Sequence, residues 1–337
     1  MLADLPLADL RGYRPDVREP ADFDQFWSGQ LAAARAARGE PAFTAADSQI
    51  RHAAVYDVTF PGYGGDAIRG WLLAPRHDVA GAAVIVEFVG YGGGRGDPFD
   101  WLRWSCAGHP HLVMDTRGQG GGWRSADTPD AGDDGMPSTP GFLTRGIADP
   151  AGHYYTRLFL DAARAVDAAR SWAGAAGRPI VTTGASQGGG LAIAAAHLSG
   201  KVAAVLADVP FLAHPERALE VTDSRPYYEL AEYCRVNPRK ADQAFATLSY
   251  LDVVNHAKRA TASALFSVAL ADTITPPSTV FAAYNHYAGP KDIAVYRYSG
   301  HEGGGTEHFG AQLAFLCQAG LRNAENPAGP AAGPGAV

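Results

Sequence analysis

The chain has 337 residues, 47% of them hydrophobic, which is enough for one large domain or two smaller ones around a buried core. Its formal net charge is −7 and it has no long run of Lys and Arg, which argues against nucleic acid as a partner. Three cysteines without C-x-x-C spacing argue against a disulfide framework and for a cytoplasmic location, and neither a signal peptide nor a membrane-spanning apolar run is recognisable.

Hydrophobic periodicity predicts strands that alternate with helices along most of the chain. A helix at 21–36 is followed by two strands at 53–60 and 67–74, whose Gly/Pro-rich turn indicates an antiparallel edge pair. Further strands are predicted at 82–89, 111–115, 179–183, 202–209, 264–270 and 293–299, and further helices at 100–107, 153–173, 191–198, 278–286 and 309–321. Such alternation implies a mainly parallel sheet with helices on both faces.

Three stretches depart from this alternation. The Gly/Asp/Pro-rich loop at 116–150 is too long for a simple connection, so we expect it to be functional or part of an interface. Residues 212–258 contain three prolines among helical stretches and are interpreted as an inserted helical cap or lid. Residues 323–337 are rich in Pro, Gly and Ala and are expected to form a disordered tail, which leaves a single domain at 1–322.

A Gly-Ala-Ser-Gln-Gly pentapeptide, centred on Ser186, lies between a predicted strand and a predicted helix. In this context G-x-S-x-G is the nucleophile elbow of the α/β-hydrolase fold, since the glycines leave room for a sharp turn. The N–H of Gln187 then lies at the start of the helix, where it can bind an oxyanion. A Gly-rich chain can also produce this motif by accident, so the acid and the base have to be found separately.

The base is expected in a loop at the carboxyl end of a strand, after the nucleophile and the acid in chain order. His301 meets this condition, in a Gly-rich loop after the strand at 293–299. His308 is the nearby competitor, but it is expected to begin the last helix. We therefore predict His301, whose imidazole can take a proton from Ser186 and return it near neutral pH.

The acid has two candidates, and each of them follows a predicted strand. Asp272 comes after the strand at 264–270, and Asp208 directly follows the strand residues 202–207. Either could instead be an ordinary turn or helix-cap residue. The chain order of this topology favours Asp272, whose carboxylate would fix the imidazole tautomer.

The second oxyanion donor is expected in the glycine-rich loop after the strand at 82–89, as the backbone N–H of Tyr91. The alternative for this loop is a flexible glycine segment without a binding role. Tyr91, Phe211 and Ile274 each follow a strand, and we expect them to line a shallow acyl pocket.

Four segments together resemble carbohydrate esterase family 7, the acetyl xylan esterases and cephalosporin C deacetylases. They are Asp115-Thr116-Arg117-Gly118-Gln119-Gly120, the pentapeptide around Ser186, Asp272 with Thr275-Pro276-Pro277-Ser278-Thr279, and His301-Glu302. The stretches 22–27 and 281–285 are also similar, so the resemblance extends from residue 4 to residue 320. One departure is Val89-Gly90-Tyr91-Gly92-Gly93, where the family usually has His-Gly-Tyr-Asn-Gly, which leaves the rigidity of this loop open.

This resemblance implies an α/β-hydrolase fold and a triad of Ser186, His301 and Asp272, with oxyanion donors at Tyr91 and Gln187. It implies acetylated sugars or other small acetyl esters as substrates, with neither a metal nor a cofactor. It further implies that Arg117 is a structural support and that the chain forms a homo-oligomer, usually a hexamer.

Two other functional classes share features of this sequence. Serine peptidases of the prolyl-oligopeptidase type share the hydrolase core, but they normally carry a large N-terminal propeller for which this chain is too short. Non-catalytic α/β-hydrolases that serve as binding proteins tend to lose the nucleophile or the base. Because Ser186, Asp272 and His301 are all present, an esterase is the preferred interpretation.

Overall fold

The computed structural model describes residues 4–77, 79, 81–130 and 138–322. The stretch predicted as a disordered tail, 323–337, lies outside the described residues, as does the segment 131–137 of the long loop. Among the described residues, no helix is both long and apolar enough to cross a membrane.

Over the residues that the structure describes, a sheet of nine strands forms the centre of the fold. The strands are β1 Ala42–Ala45, β2 Ala53–Pro61, β3 Ala67–Pro75, β4 Val84–Phe88, β5 His111–Met114, β6 Ile180–Ala185, β7 Ala204–Asp208, β8 Ser263–Ala269 and β9 Lys291–Tyr296. Their order across the sheet is β1-β2-β3-β5-β4-β6-β7-β8-β9. The pairs β1–β2, β2–β3 and β3–β5 are antiparallel, and all pairs from β5–β4 to β8–β9 are parallel. The prediction of a mainly parallel sheet is therefore confirmed.

The sheet edge differs from the prediction in one respect. The pair β2–β3 is antiparallel, as expected, but the short strand β1 adds outside it and forms the edge. Three of the four residues of β1 are exposed, so its sequence lacks the alternation that marks a half-buried strand.

Helices cover both faces of the sheet. They are α1 Leu7–Gly12, α2 Phe23–Ala36, α3 Leu102–Cys106, α4 Tyr154–Ser171, α5 Gln187–Ser199, α6 Pro215–Val221, α7 Tyr227–Val236, α8 Ala241–Leu251, α9 Val253–Ala257, α10 Pro277–His286 and α11 Gly305–Gln318. Helices α6 to α9 lie between β7 and β8, in the stretch interpreted as an insertion. Helix α1 was not predicted; it has six residues, of which only Leu10 is buried, which is too short for a clear periodic pattern.

Side chains along the central strands alternate between the two faces of the sheet, so successive residues belong to two different hydrophobic cores. Val84, Val86 and Phe88 of β4 belong to the larger core, which contains α4 and α5. Ile85 of β4 belongs to a second core on the opposite face, with Trp104 of α3. Burial on both faces is what a central parallel strand requires, and it leaves loops free to meet at the carboxyl ends of the strands.

Arg117, just after β5, is fully buried and lies among three carboxylates, of which Asp161 is fully buried as well. Its guanidinium forms a two-pronged contact with Asp161 of α4, in which Nη2 donates to Oδ1 at 2.8 Å. Nη1 also donates to Asp66 between β2 and β3 at 2.9 Å, and to Asp130 of the long loop at 3.3 Å. The cluster thereby fixes the start of the long loop against α4 and the β2–β3 turn, the supporting role that the resemblance implies for Arg117.

Replacing Arg117 by methionine is expected to lower the free energy of unfolding by about 3–5 kcal/mol, because the carboxylate of Asp161 would remain buried with the N–H of Tyr63 as a donor but without a positively charged partner. The measurement is urea denaturation at neutral pH. The control is Arg35→Met, since Arg35 also forms a two-pronged contact with a carboxylate of α4, Asp167, but is partly exposed. The control should lose about 1 kcal/mol or less. Equal losses in the two variants would contradict the structural role of the cluster.

Candidate active site

Ser186 lies in the sharp turn between β6 and α5. Its backbone has φ 57° and ψ −118°, a conformation that residues other than glycine rarely adopt. Its N–H donates to the carbonyl of Asp208 at 2.9 Å, and its carbonyl accepts from Phe211 N at 2.9 Å. A Cβ on Gly188 would overlap the carbonyl oxygen of Phe88, so glycine is required for α5 to approach the sheet this closely. The strained turn is thus held from several sides with the hydroxyl at the carboxyl edge of the sheet.

The structure brings Asp272 and His301 together. His301 Nδ1 lies 2.8 Å from Asp272 Oδ2, and Asp272 is fully buried. The carboxylate also accepts hydrogen bonds from the backbone N–H of Ile274 at 2.8 Å and of Thr275 at 3.1 Å, and from the Thr275 hydroxyl at 2.8 Å. Since Nδ1 donates its proton to this carboxylate, Nε2 is the basic nitrogen of the neutral imidazole.

Ser186 and His301 line the same cavity, whose volume is about 760 Å³. Among the described residues the Ser186 hydroxyl forms no hydrogen bond with the imidazole. Contacts of this kind are commonly loose in free enzymes and close when substrate binds. The cavity is therefore lined by Ser186, which is 8% exposed, and by His301, while Asp272 lies buried behind the imidazole.

The two rivals of the sequence analysis, Asp208 and His308, pair with each other. His308 Nε2 lies 2.8 Å from Asp208 Oδ1, and Gln312 Nε2 donates to both oxygens of the same carboxylate, at 3.0 and 2.9 Å. Nδ1 of His308 contacts the hydroxyl of Tyr296 at 3.1 Å. This second acid–imidazole pair links β7 to α11.

Two backbone N–H groups are available as oxyanion donors. Those of Tyr91 and Gln187 have no hydrogen-bond acceptor in the described part of the chain. Gln187 is the first residue of α5, where the helix dipole favours negative charge.

The side chain of Tyr91 ties the oxyanion loop to the helices between β7 and β8. Its hydroxyl donates to Glu229 of α7 at 2.6 Å and accepts from the N–H groups of Gly141 and Phe142, both at 3.1 Å. Burial, and next the negative charge of Glu229, raise the pKa of the Tyr91 phenol well above its usual value. Tyr91 is therefore a neutral anchor whose backbone remains free to donate.

A pair of glutamines holds the oxyanion loop against α5. Gln119 Oε1 accepts from Gly92 N at 2.7 Å, and Gln119 Nε2 donates to Gln187 Oε1 at 2.9 Å and to the Tyr154 hydroxyl at 3.0 Å. Gln187 Nε2 in turn donates to the carbonyl of Val89 at 3.1 Å. The side-chain contacts thus fix both ends of the loop, although it lacks the usual family residues at 89 and 92.

Sequence reasoning did not assign a role to the side chain of Gln119. The only signal was its place in the Arg-Gly-Gln segment quoted for the family resemblance. The contact partners are 27 and 68 residues away along the chain, so no local pattern reveals them.

The expected acyl-pocket residues occupy different places. Tyr91 and Ile274 line the cavity. Phe211 is 1% exposed and lies outside the cavity lining, with its ring 6.4 Å from that of Tyr91. Phe211 therefore packs beside Tyr91 and, unlike the prediction, does not line the cavity.

The long loop contributes directly to the cavity. Trp123 lines it, is 57% exposed and donates from Nε1 to the carbonyl of Tyr91 at 2.9 Å. Arg124 and Pro140 also line the cavity. The described parts of the loop thus serve the site, as its length indicated.

Replacing Gln119 by the similarly shaped methionine is expected to slow the reaction of Ser186 with a fluorophosphonate about tenfold, because Gly92 loses its acceptor and the N–H of Tyr91 is no longer held in place. The rate of covalent labelling measures this, with thermal unfolding recorded in parallel. Gln243→Met is the matched control, since the side chain of Gln243 makes an exposed contact with the carbonyl of Ala148. A folded Gln119→Met protein that is labelled at the wild-type rate would refute the positioning role.

Comparison with known proteins identifies similar sequences and structures over nearly the whole chain. Residues 1–319 match the family model described as acetyl xylan esterase (AXE1). The acetyl esterase Axe7A of Xylanibacter ruminicola is 24% identical over 293 residues, which make up 84% of this chain and 63% of that protein. The chain thus spans less than two thirds of the length of this curated relative.

Two solved structures are similar in both sequence and fold. An acetyl xylan esterase from Paenibacillus sp. R4 is 38% identical, with a TM-score of 0.84 over 93% of this chain and 99% of that chain. Acetyl xylan esterase 1 from Thermoanaerobacterium sp. JW/SL YS485 is 33% identical, with a TM-score of 0.84 over 94% of this chain and 99% of that chain.

Proposed function

The chain belongs to the acetyl xylan esterase family of carboxylic ester hydrolases, with the α/β-hydrolase fold, and on this premise we propose that it is a serine esterase for short acyl esters. Its substrates are chiefly acetyl esters of sugars or other small molecules. One observation carries the proposal: the Asp272–His301 pair opens onto the cavity that holds Ser186.

In the proposed mechanism Ser186 is the nucleophile. His301 Nε2 takes the hydroxyl proton as Oγ attacks the ester carbonyl. Asp272 holds the imidazole through Nδ1 and stabilises the imidazolium that forms, which its burial and its three other hydrogen bonds support. The unpaired N–H groups of Tyr91 and Gln187 receive the developing oxyanion, an interaction worth about 3–4 kcal/mol for each donor in such sites.

The second half of the reaction reuses the same groups. The imidazolium of His301 returns its proton to the leaving alcohol, and an acyl ester remains on Ser186. A water molecule, deprotonated by His301, then attacks this ester and releases the free acid. No step needs a cofactor or a metal.

We propose that Tyr91 and Ile274 border the acyl group, while Phe211 fixes the position of Tyr91. Two expectations remain predictions: that the chain forms a homo-oligomer such as a hexamer, and that it is located in the cytoplasm. Exposed aromatic side chains at Trp123 and Tyr228 provide apolar surface that would support self-association.

Ser186→Ala is expected to lower kcat for 4-nitrophenyl acetate by ~10⁴-fold or more and to abolish fluorophosphonate labelling, because the nucleophile is lost. Mass spectrometry of the labelled wild type should place the adduct on Ser186. The control is Ser28→Ala, which removes an exposed hydroxyl on α2. An inert Ser186 in folded wild-type protein would favour the non-catalytic binding protein over the esterase.

A small acyl pocket predicts a steep dependence on chain length. 4-Nitrophenyl acetate should be hydrolysed with a kcat/KM at least about tenfold above that for the octanoate, because a longer chain meets the anchored Tyr91. Comparable values for the two esters, measured below their solubility limits, would refute the small pocket and leave the triad proposal intact.

A further inference from the structure

The oxyanion loop after β4 reads Gly-Tyr-Gly-Gly-Gly, so Tyr91 supplies its only side chain. The peptide group that carries the N–H of Tyr91 is held through the carbonyl of Gly90, which accepts from Gly93 N at 3.2 Å. Gln119 and Trp123 hold the next peptide group along the chain. Glycine-rich backbone has more conformational freedom than any other. The direction of the Tyr91 N–H therefore depends on how firmly the Tyr91 side chain is anchored.

The Tyr91 hydroxyl lies where three segments meet. It donates to Glu229 Oε1 of α7 at 2.6 Å and accepts from the N–H groups of Gly141 and Phe142 in the long loop, both at 3.1 Å. Glu229 Oε2 accepts from Leu143 N at 3.2 Å. Because Glu229 is 5% exposed, its carboxylate joins the oxyanion loop, the long loop and α7 inside the protein.

These contacts form a complete set only while Glu229 is charged. The donors are three backbone N–H groups and the phenol O–H, and each carboxylate oxygen accepts from one of them. The phenol oxygen accepts from the other two, which together with its own donated proton uses its full capacity. A proton added to Glu229 would bring a further donor and no further acceptor. It would also replace the short, charge-assisted bond from Tyr91 by a weaker neutral one.

Burial works against this charge. It raises the pKa of Glu229, although the hydrogen bond from Tyr91 opposes the shift. Arg225 offers little compensation, because it lies 3.9 Å from Oε1, has a half-exposed side chain and pairs more closely with Glu232, at 2.7 Å. Glu229 therefore takes up a proton at a higher pH than an exposed glutamate does.

The other elements packed around Glu229 do not offset its burial. Tyr155 of α4 adds a neutral phenol, since burial raises its pKa as well. On the long loop, the first charged residue after Leu143 is Arg145, which lies 3.7 Å from Asp130. The protonation state of Glu229 is thus set mainly by its burial and by the donors that it binds.

We propose that Glu229 is a positioning residue for the oxyanion donor of Tyr91, and that its carboxylate form holds this donor in place. The inference rests on the proposed esterase function and adds a form of regulation to it. Protonation of Glu229 loosens the phenol of Tyr91, the glycine loop gains freedom, and the N–H points at the oxyanion for a smaller fraction of the time. Acid thus slows the reaction through a residue outside the cavity lining, in addition to protonating the base His301.

The test compares Glu229→Gln with wild type by the rate at which a fluorophosphonate labels Ser186, from neutral pH to the lowest pH at which both proteins stay folded. Glutamine has the shape of the protonated acid. At neutral pH the variant should react about tenfold more slowly, a smaller loss than the roughly 10²–10³ for removing such a donor entirely. As the pH falls the two rates should converge, because wild type takes up the proton that glutamine mimics, while protonation of His301 slows both proteins equally.

The control is Glu232→Gln, which removes a carboxylate from the same helix and the close partner of the same Arg225, without a contact to Tyr91. This variant should keep the wild-type rate and pH profile. A folded Glu229→Gln protein that is labelled at the wild-type rate would overturn the proposal. A loss by the same factor at every pH would also overturn it, since a general structural defect has that signature.

Tyr91→Phe breaks the same link from the other side and keeps the backbone N–H, so it decides the matter if Glu229→Gln does not fold. It should also react about tenfold more slowly at neutral pH and converge with wild type as the pH falls. The double variant should lie within about twofold of either single variant, whereas multiplied losses would contradict a shared link. A wild type that is not labelled at any pH would refute the esterase function, and this proposal with it.

Discussion

The tight turn at Ser186 is the constraint on which the rest of the site depends. The side chain of Ser186, the proposed nucleophile, can stand clear of the sheet only because the backbone adopts a positive φ there, and hydrogen bonds to Asp208 and Phe211 hold that conformation. The same turn starts α5 against β4, where Gly188 lies on the carbonyl of Phe88. One short segment therefore sets the position of the proposed nucleophile Ser186, of the N–H of Gln187 proposed as an oxyanion donor, and of the helix that packs on the sheet.

The remaining groups reach this turn because parallel strands bring their carboxyl ends to one edge. Asp272 follows β8, His301 follows β9 and Tyr91 follows β4, so a short segment is enough to bring each of them to the site. Their loops are then fixed by different means: Asp272 by backbone N–H groups, Tyr91 by Glu229, and the oxyanion loop by the two glutamines. Because the site is assembled from separate loops, its geometry depends on many contacts made by residues that take no direct part in the proposed reaction.

Much of this arrangement could be predicted from the sequence, because strands, helices and strand-end loops leave local patterns. The alternation of elements gave the parallel sheet, and the order of the chain favoured Asp272 and His301, which the structure brings within 2.8 Å of each other. Contacts between distant side chains leave no such pattern. The tie between Gln119 and Gln187 and the pair of Glu87 and His111 belong to this class, since each joins segments that meet only after the sheet has formed.

Whether a residue that follows a strand is buried or lines the cavity could not be predicted from the sequence either. Phe211 follows β7 just as Ile274 follows β8, yet the first is buried beside Tyr91 and the second lines the cavity. The short elements β1 and α1 were missed for a related reason, because a few residues with little burial carry too little periodicity to distinguish them from loop.

The link through Asp208 has a mechanical consequence. Its carbonyl holds the backbone of the nucleophile, while its carboxylate is held by His308 and Gln312 on α11, the helix that directly follows the loop of His301. A displacement of α11 would therefore move the imidazole of His301 and the hydroxyl oxygen of Ser186 in the same direction. For this reason we expect thermal movement of α11 to change the distance between the Ser186 hydroxyl and the His301 imidazole little.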